Sequence, residues 1–162
     1  MISYNNDTLT QYLGKLSARE PIPGGGSAAA VAGAMGAALI SMSARYSLGK
    51  GKPADVEKRI NDIIVQADAV RTQLVEFAGK DAQAYLDLTS ARKSGDKGLH
   101  DRARAEAARV PRDIIELCRA CLKLAPYLHQ EGNPYLLSDV KAAEAFLNAG
   151  IQAASYMQEA NS

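Results

Sequence analysis

The sequence predicts an all-α fold, an up-and-down helical bundle around a central Ala/Gly-rich buried helix. Apolar residues recur at spacings of three and four along most of the chain. No stretch alternates with period two for long enough to form a strand. Alanine, the strongest helix former, is abundant. The 162 residues suffice for one domain with a substantial core, and residues 1–162 read as a single helical domain.

Five helical stretches follow from the pattern. The first spans about Thr8 to Ala18, with Leu9, Tyr12, Leu13 and Leu16 on one face and Thr8 and Gln11 placed as a capping box. The second follows Pro21-Ile22-Pro23-Gly24-Gly25-Gly26-Ser27, with Ser27 as the expected N-cap, and ends near Leu48-Gly49. Its Ala/Gly composition reads as a helix buried on all sides. The third runs from about Pro53 to Ala91 on a stripe of Val56, Ile60, Ile63, Ala67, Val70 and Leu74 that continues through Phe77 and Ala78. The fourth starts near Leu99, kinks or divides at Pro111, and is closed by Pro126. The last begins at Pro134 or Ser138 and runs to the C-terminus, with Ser138 or Asp139 as its cap and Val140, Leu147, Ile151 and Ala154 turned inward.

Composition narrows the function classes. With 47% hydrophobic and 23% charged residues the chain reads as a soluble globular protein. A formal net charge of +1 gives no support for nucleic-acid or membrane-surface binding. The Ala28–Ala44 segment is the only membrane candidate; it carries Ser41 and Ser43 and falls short of the roughly 20 apolar residues a bilayer needs. The polar N-terminus shows no secretory signal, so a cytoplasmic location is expected. Cys118 and Cys121 form a lone C-x-x-C inside a helical pattern, which reads as a pair of core thiols. No metal site, phosphate loop or nucleophile–base constellation is evident, and His100 and His129 stand isolated.

Two features break the structural pattern. Three glycines precede the smooth helix, where one would suffice for folding. They suggest that something approaches the backbone where free N–H groups and the positive end of a helix dipole converge. Asp81 falls on the apolar stripe of the long helix, three residues after Ala78 and four before Tyr85. Burial there raises the pKa of a carboxyl group and suits it to proton transfer near neutrality; a buried ion pair or interhelix hydrogen bond is the alternative. Asp68 lies off the stripe and reads as solvated. Lys50 and Lys52, in a Gly-rich turn, either complement a helix C-terminus or hold an anion. Asn133-Pro134 marks a turn, and Ser138 or Asp139 either caps the last helix or meets a heterocycle edge.

Taken in order, these segments resemble the cyclodeaminase domain of the formiminotransferase-cyclodeaminase family. The similarity rests on Pro23-Gly24-Gly25-Gly26-Ser27 with its Ala/Gly helix, Met42 to Leu48-Gly49-Lys50, Lys80-Asp81-Ala82-Gln83-Ala84-Tyr85, Val110-Pro111, and Gly132-Asn133-Pro134 with Ser138-Asp139. Where the family commonly has two asparagines four residues apart, this chain has Met157 and Asn161. The resemblance implies an all-helical bundle that dimerises, with a folate site in or near the subunit interface. It implies conversion of 5-formimino-tetrahydrofolate to 5,10-methenyl-tetrahydrofolate and ammonia. A methenyltetrahydrofolate cyclohydrolase or a non-catalytic folate- or protein-binding module are the alternatives. Asp81 is then the catalytic residue. The substrate-binding set is Pro23, Gly24, Gly25, Gly26, Ser27, Lys50, Lys52, Asn133, Ser138, Asp139 and Asn161, with the lysines meeting the glutamate tail. A tetrahydrofolate derivative is the substrate, and no separate cofactor is expected.

Overall fold

A computed structural model describes residues 2–49 and 51–161. Six α-helices make up nearly all of it: α1 (Leu9–Ser17), α2 (Gly25–Arg45), α3 (Ala54–Ser94), α4 (Lys97–Leu122), α5 (Ala125–Glu131) and α6 (Leu137–Ala160). A single 3₁₀ turn, Pro134–Leu136, leads into α6. No strand occurs among the described residues.

The four long helices form the bundle. α2 packs most extensively on α3 and α6, and α4 closes the ring between those two. α2 and α3 are antiparallel: Ser27 meets Asp81, Ser41 meets Asp68 and Gly49 meets Glu57. α2 and α6 are antiparallel as well, with Gly33 against Gly150 and Gly36 against Leu147. The Gly33–Gly150 crossing brings the two backbones so close that a Cβ at Gly150 would sit 3.0 Å from the Ala29 carbonyl. Ile40, Ile60, Ile63, Leu74, Ile114 and Leu147 are fully buried between the helices. Each such side chain contributes about 1.5–3 kcal/mol through burial.

Local chemistry explains most boundaries. Thr8 and Gln11 exchange side-chain and backbone hydrogen bonds in a complete capping box. α3 carries Asp55 and Glu57 in its first turn and Arg92 and Lys93 in its last, matching its dipole, and it stops at Gly95 with φ +73°. Asp96 caps α4 by accepting from the Leu99 N–H.

Several expectations change. α4 runs through Pro111 without dividing. Pro126 does not end α4; it sits in the first turn of α5, where its missing N–H costs nothing. Ser138 and Asp139 lie inside the first turn of α6 and cap nothing, since Leu136 holds the N-cap position. Of the α1 face only Tyr12 is buried; Leu9 and Leu13 are exposed. Nor is α2 covered on all sides. It is long and apolar enough to cross a membrane by length and composition, and α3 and α6 bury most of it. One lane through Val31, Met35, Ala38, Met42 and Tyr46 remains open.

Candidate active site

The junction before α2 differs from its expected form. Gly24, in extended conformation (φ −128°, ψ −161°), is the N-cap. Ser27 is therefore in the first turn rather than at the cap, and it is fully buried. Its hydroxyl pairs with the Tyr12 hydroxyl at 3.0 Å. None of Gly24, Gly25 and Gly26 has positive φ; the positive-φ glycines are Gly49, Gly51 and Gly95. The demand on the glycine run is steric. A Cβ on Gly26 would fall on the Asp81 carboxylate, and one on Gly25 would meet the Met157 sulfur at 3.0 Å. The group that approaches this backbone is Asp81 itself.

Asp81, half-buried on α3, accepts the Ser27 N–H through Oδ2 at 2.9 Å. That N–H is one of the four at a helix N-terminus that lack an intrahelical acceptor. Burial pushes the Asp81 carboxyl above its ordinary range, and the Ser27 N–H only partly opposes this. The N–H groups of Gly25 and Gly26 also have no acceptor within the helix and stay available to a ligand. Gly25, Gly26, Asp81, Tyr85, Met157 and Asn161 line a cleft of about 280 Å³.

Asn161 owes its place to a proline. Pro111 has no N–H to donate to the carbonyl of Ala107, one helical turn earlier. The Asn161 side-chain amide donates to that carbonyl instead, at 3.0 Å, and satisfies it. This bond ties the end of α6 to α4 and fixes one wall of the cleft. Behind the acid, Tyr4 packs edge-on against Tyr12 with ring centroids 5.4 Å apart. The Tyr4 hydroxyl is buried without a partner among the described residues. Burial raises the pKa of both phenols, and the Asp81 charge adds to it.

The remaining predicted ligand residues are not here. Pro23 is buried beside the turn, following a cis Ile22–Pro23 bond, and does not line the cleft. Lys52, Asn133, Ser138 and Asp139 lie at the opposite end of the bundle, by the C-terminus of α2. There the Lys52 ammonium donates to the Glu131 carbonyl. The Asn133 N–H donates to Ser47 Oγ at 2.8 Å, its side-chain amide to the Tyr46 carbonyl, and its Oδ1 accepts the Tyr135 N–H. Lys50 lies outside the described residues. Asp68 stays partly exposed but is not simply solvated: it takes hydrogen bonds from Ser41 and Arg45. His129 is not isolated, because it pairs with Glu144 at 3.1 Å. Cys118 and Cys121 are free and buried, and burial pushes both thiols up to about 12, leaving them unreactive. No group of three potential metal ligands occurs among the described residues.

Tyr12, Tyr85 and Leu88 were not marked as functional by the sequence. Tyr12 and Tyr85 were legible only as stripe members with a polar tip. Leu88 follows from continuing the Asp81–Tyr85 spacing along α3.

A helix bundle that sets one desolvated carboxyl against a helix N-terminus, at the wall of a cleft, is equipped for proton transfer to a bound small molecule. The family model for formiminotransferase-cyclodeaminase matches residues 8–162, and the chain belongs to this family. It is 31% identical to the methenyltetrahydrofolate cyclohydrolase of Methylorubrum extorquens over 160 residues, covering 93% of this chain and 76% of that one. It is 28% identical over 153 residues to the formimidoyltransferase-cyclodeaminase of Rattus norvegicus, covering 89% of this chain and 28% of that larger protein. The crystal structure of formiminotetrahydrofolate cyclodeaminase from Thermotoga maritima superimposes with a TM-score of 0.91 at 30% identity, covering 95% of this chain and 77% of that one.

Proposed function

We propose that the protein is a tetrahydrofolate one-carbon enzyme, a formiminotetrahydrofolate cyclodeaminase in which Asp81 moves the proton. The observation that carries this reading is the Asp81 carboxyl, desolvated yet open to the cleft and held against the α2 N-terminus. In the protonated formimino substrate, N10 attacks the formimino carbon and gives an aminal carrying N5, N10 and an amino group. The Asp81 carboxylate takes the N10 proton and passes it to that amino group. Ammonia leaves, the methenyl cation remains, and Asp81 returns to its starting form. The raised proton affinity suits both halves of this transfer. The free N–H groups of Gly25 and Gly26 orient the ligand at the carboxyl.

A second reading has the support of the Methylorubrum relative, three-quarters of whose length this chain spans. Water adds to the methenyl carbon, the bond to N5 opens, and the 10-formyl product and one proton result. Incubating the purified protein separately with 5-formimino- and 5,10-methenyl-tetrahydrofolate decides between the two. Methenyl absorbance that appears together with ammonia supports the cyclodeaminase, and absorbance that disappears supports the hydrolase. Folate binding with neither change would leave a non-catalytic module.

The open lane on α2 suits a second copy of the chain. Its apolar residues recur at spacings of three and four, as in a helix-pairing seam, and Met35 within it is 43% exposed. Lys52, Asn133 and Asp139 enter a folate site only through such a partner. Met35→Glu should convert a dimer to a monomer in sedimentation; a wild-type monomer would refute the pairing.

A further inference from the structure

The cleft does not end at the acid. Leu88, Ala160 and Asn161 line it and also line a second hollow of about 130 Å³, whose other walls are Arg92, His100 and Arg104. Two helix faces lead there together. On α3, Asp81, Tyr85, Leu88 and Arg92 follow one another at spacings of four, three and four, a single line down one side of the helix. On antiparallel α4, Ala107, Arg104 and His100 run the same way. The line from Asp81 to Arg92 rises about 16 Å at 1.5 Å per residue.

The two arginines at its end are not engaged. Neither Arg92 nor Arg104 has an ion-pair or hydrogen-bond partner among the described residues. Of the nearby carboxylates, Asp96 accepts the Leu99 N–H at the start of α4, and Asp101 lies 3.7 Å from His100, itself a wall of the hollow. Other surface arginines are mixed: Arg109 pairs with Glu106 and Asp113 and Arg119 with Glu116, while Arg19, Arg102 and Arg112 have no ion-pair or hydrogen-bond partner among the described residues. Arg92 and Arg104 differ in sharing one hollow that adjoins the cleft. Two unpaired guanidinium groups on facing helices, at the mouth of a cleft, form a fork suited to carboxylates.

We propose that the Arg92–His100–Arg104 hollow binds the glutamate tail of the substrate, an anionic chain of γ-linked glutamates. This rests on the folate reading above and adds the direction in which the ligand lies: pterin and one-carbon unit at the glycine turn, aminobenzoyl ring past Tyr85 and Leu88, carboxylates at the arginines. It moves the tail away from Lys52, whose ammonium is held by the Glu131 carbonyl at the far end of the bundle.

The test compares tetrahydrofolate substrates carrying one and five glutamates. The enzymes are the wild type, Arg92→Gln/Arg104→Gln, and the charge-matched surface control Lys58→Gln/Lys123→Gln. The wild type should show a lower KM for the pentaglutamate. The arginine double variant should lose about tenfold of that advantage, as expected for charge-assisted bonds to carboxylate. The loss should fall on KM, grow with glutamate number and shrink in high salt. The control should retain the advantage, and melting temperatures of all three should agree. The proposal is overturned if the wild type does not distinguish the two substrates, or if the arginine variant discriminates as well as the wild type. Failure of the wild type to bind or convert any folate removes the functional reading itself, a result distinct from either of those.

Discussion

α3 offers two aspartates to α2, and their surroundings push them in opposite directions. Asp68 meets the C-terminal half of α2. Burial pushes its carboxyl up, but the Ser41 hydroxyl and the Arg45 and Arg71 guanidinium groups outweigh that and hold it below the usual range. Asp81 meets the N-terminus of α2. Burial raises it, one backbone N–H opposes, and no cation among the described residues stands by to neutralise it. The first is an anchored anion between two helices. The second retains an affinity for protons and an open side toward a cleft. What separates a structural aspartate from a chemical one here is the balance of partners against burial, and the helix that both occupy is the same.

The largest test of this contrast is Asp81→Asn. It keeps shape and hydrogen-bonding size but cannot carry the proton, so turnover should fall by about 10²–10⁴-fold. Far-ultraviolet circular dichroism and melting temperature should stay near wild type. Asp68→Asn should leave the rate within a small factor. Near-normal turnover in the Asp81 variant would dissolve the distinction between the two residues.

Gly26→Ala comes next. The added methyl group lies on the Asp81 carboxylate, so either the first turn of α2 or the carboxylate must move. The expected cost is about 1–3 kcal/mol of stability, read by chemical denaturation. Activity should fall out of proportion to this loss because the displaced group is the acid. Gly24→Ala, where a Cβ meets nothing within 4 Å, is the matched control.

Much of this was legible in the chain. The bundle and the start of α1 follow from spacing and capping residues that act locally, as Thr8, Gln11 and the apolar stripe of α3 show, whereas the caps expected at Ser27 and at Ser138 or Asp139 fall at Gly24 and Leu136. Asp81 stood out because it interrupts that stripe. The glycine run was legible as a close approach, although the approaching group and the absence of positive φ were not. A sequence does not show that Gly26 yields to a side chain from a helix far away in the chain. The surroundings of the residues at the far end of the bundle were hidden for the same reason. Asn133 and Lys52 have the chemistry of ligand-binding residues, yet Ser47, Tyr46 and Glu131 already occupy them, and those pairings are made only in three dimensions. Asn161 was marked by resemblance alone. Its physical cause, the carbonyl that Pro111 leaves without a donor, was present in the sequence as a proline inside a helix.

The smallest effect is in the pH dependence of stability, and it sharpens the comparison because the two aspartates predict opposite signs. Asp81 has a folded-state pKa raised above its unfolded value. Its favourable contribution is fully present below the unfolded value and is lost as pH rises through the raised folded value. Asp68 has a lowered folded-state pKa, so its contribution is present above the unfolded value and lost as pH falls through the lowered one. Relative to wild type, Asp81→Asn should therefore gain stability on going from mildly acidic to neutral pH. Asp68→Asn should instead stay level with wild type over that range and lose stability relative to it lower down, as pH rises from the lowered folded value to the unfolded one, by no more than about 1 kcal/mol, because its pair with Arg45 is partly exposed and screened. Thermal melts of the three proteins from strongly acidic to neutral pH measure both slopes. If the two difference curves bend the same way, burial and ion pairing are not what divides these residues, and the assignment of Asp81 as the proton carrier loses its physical basis.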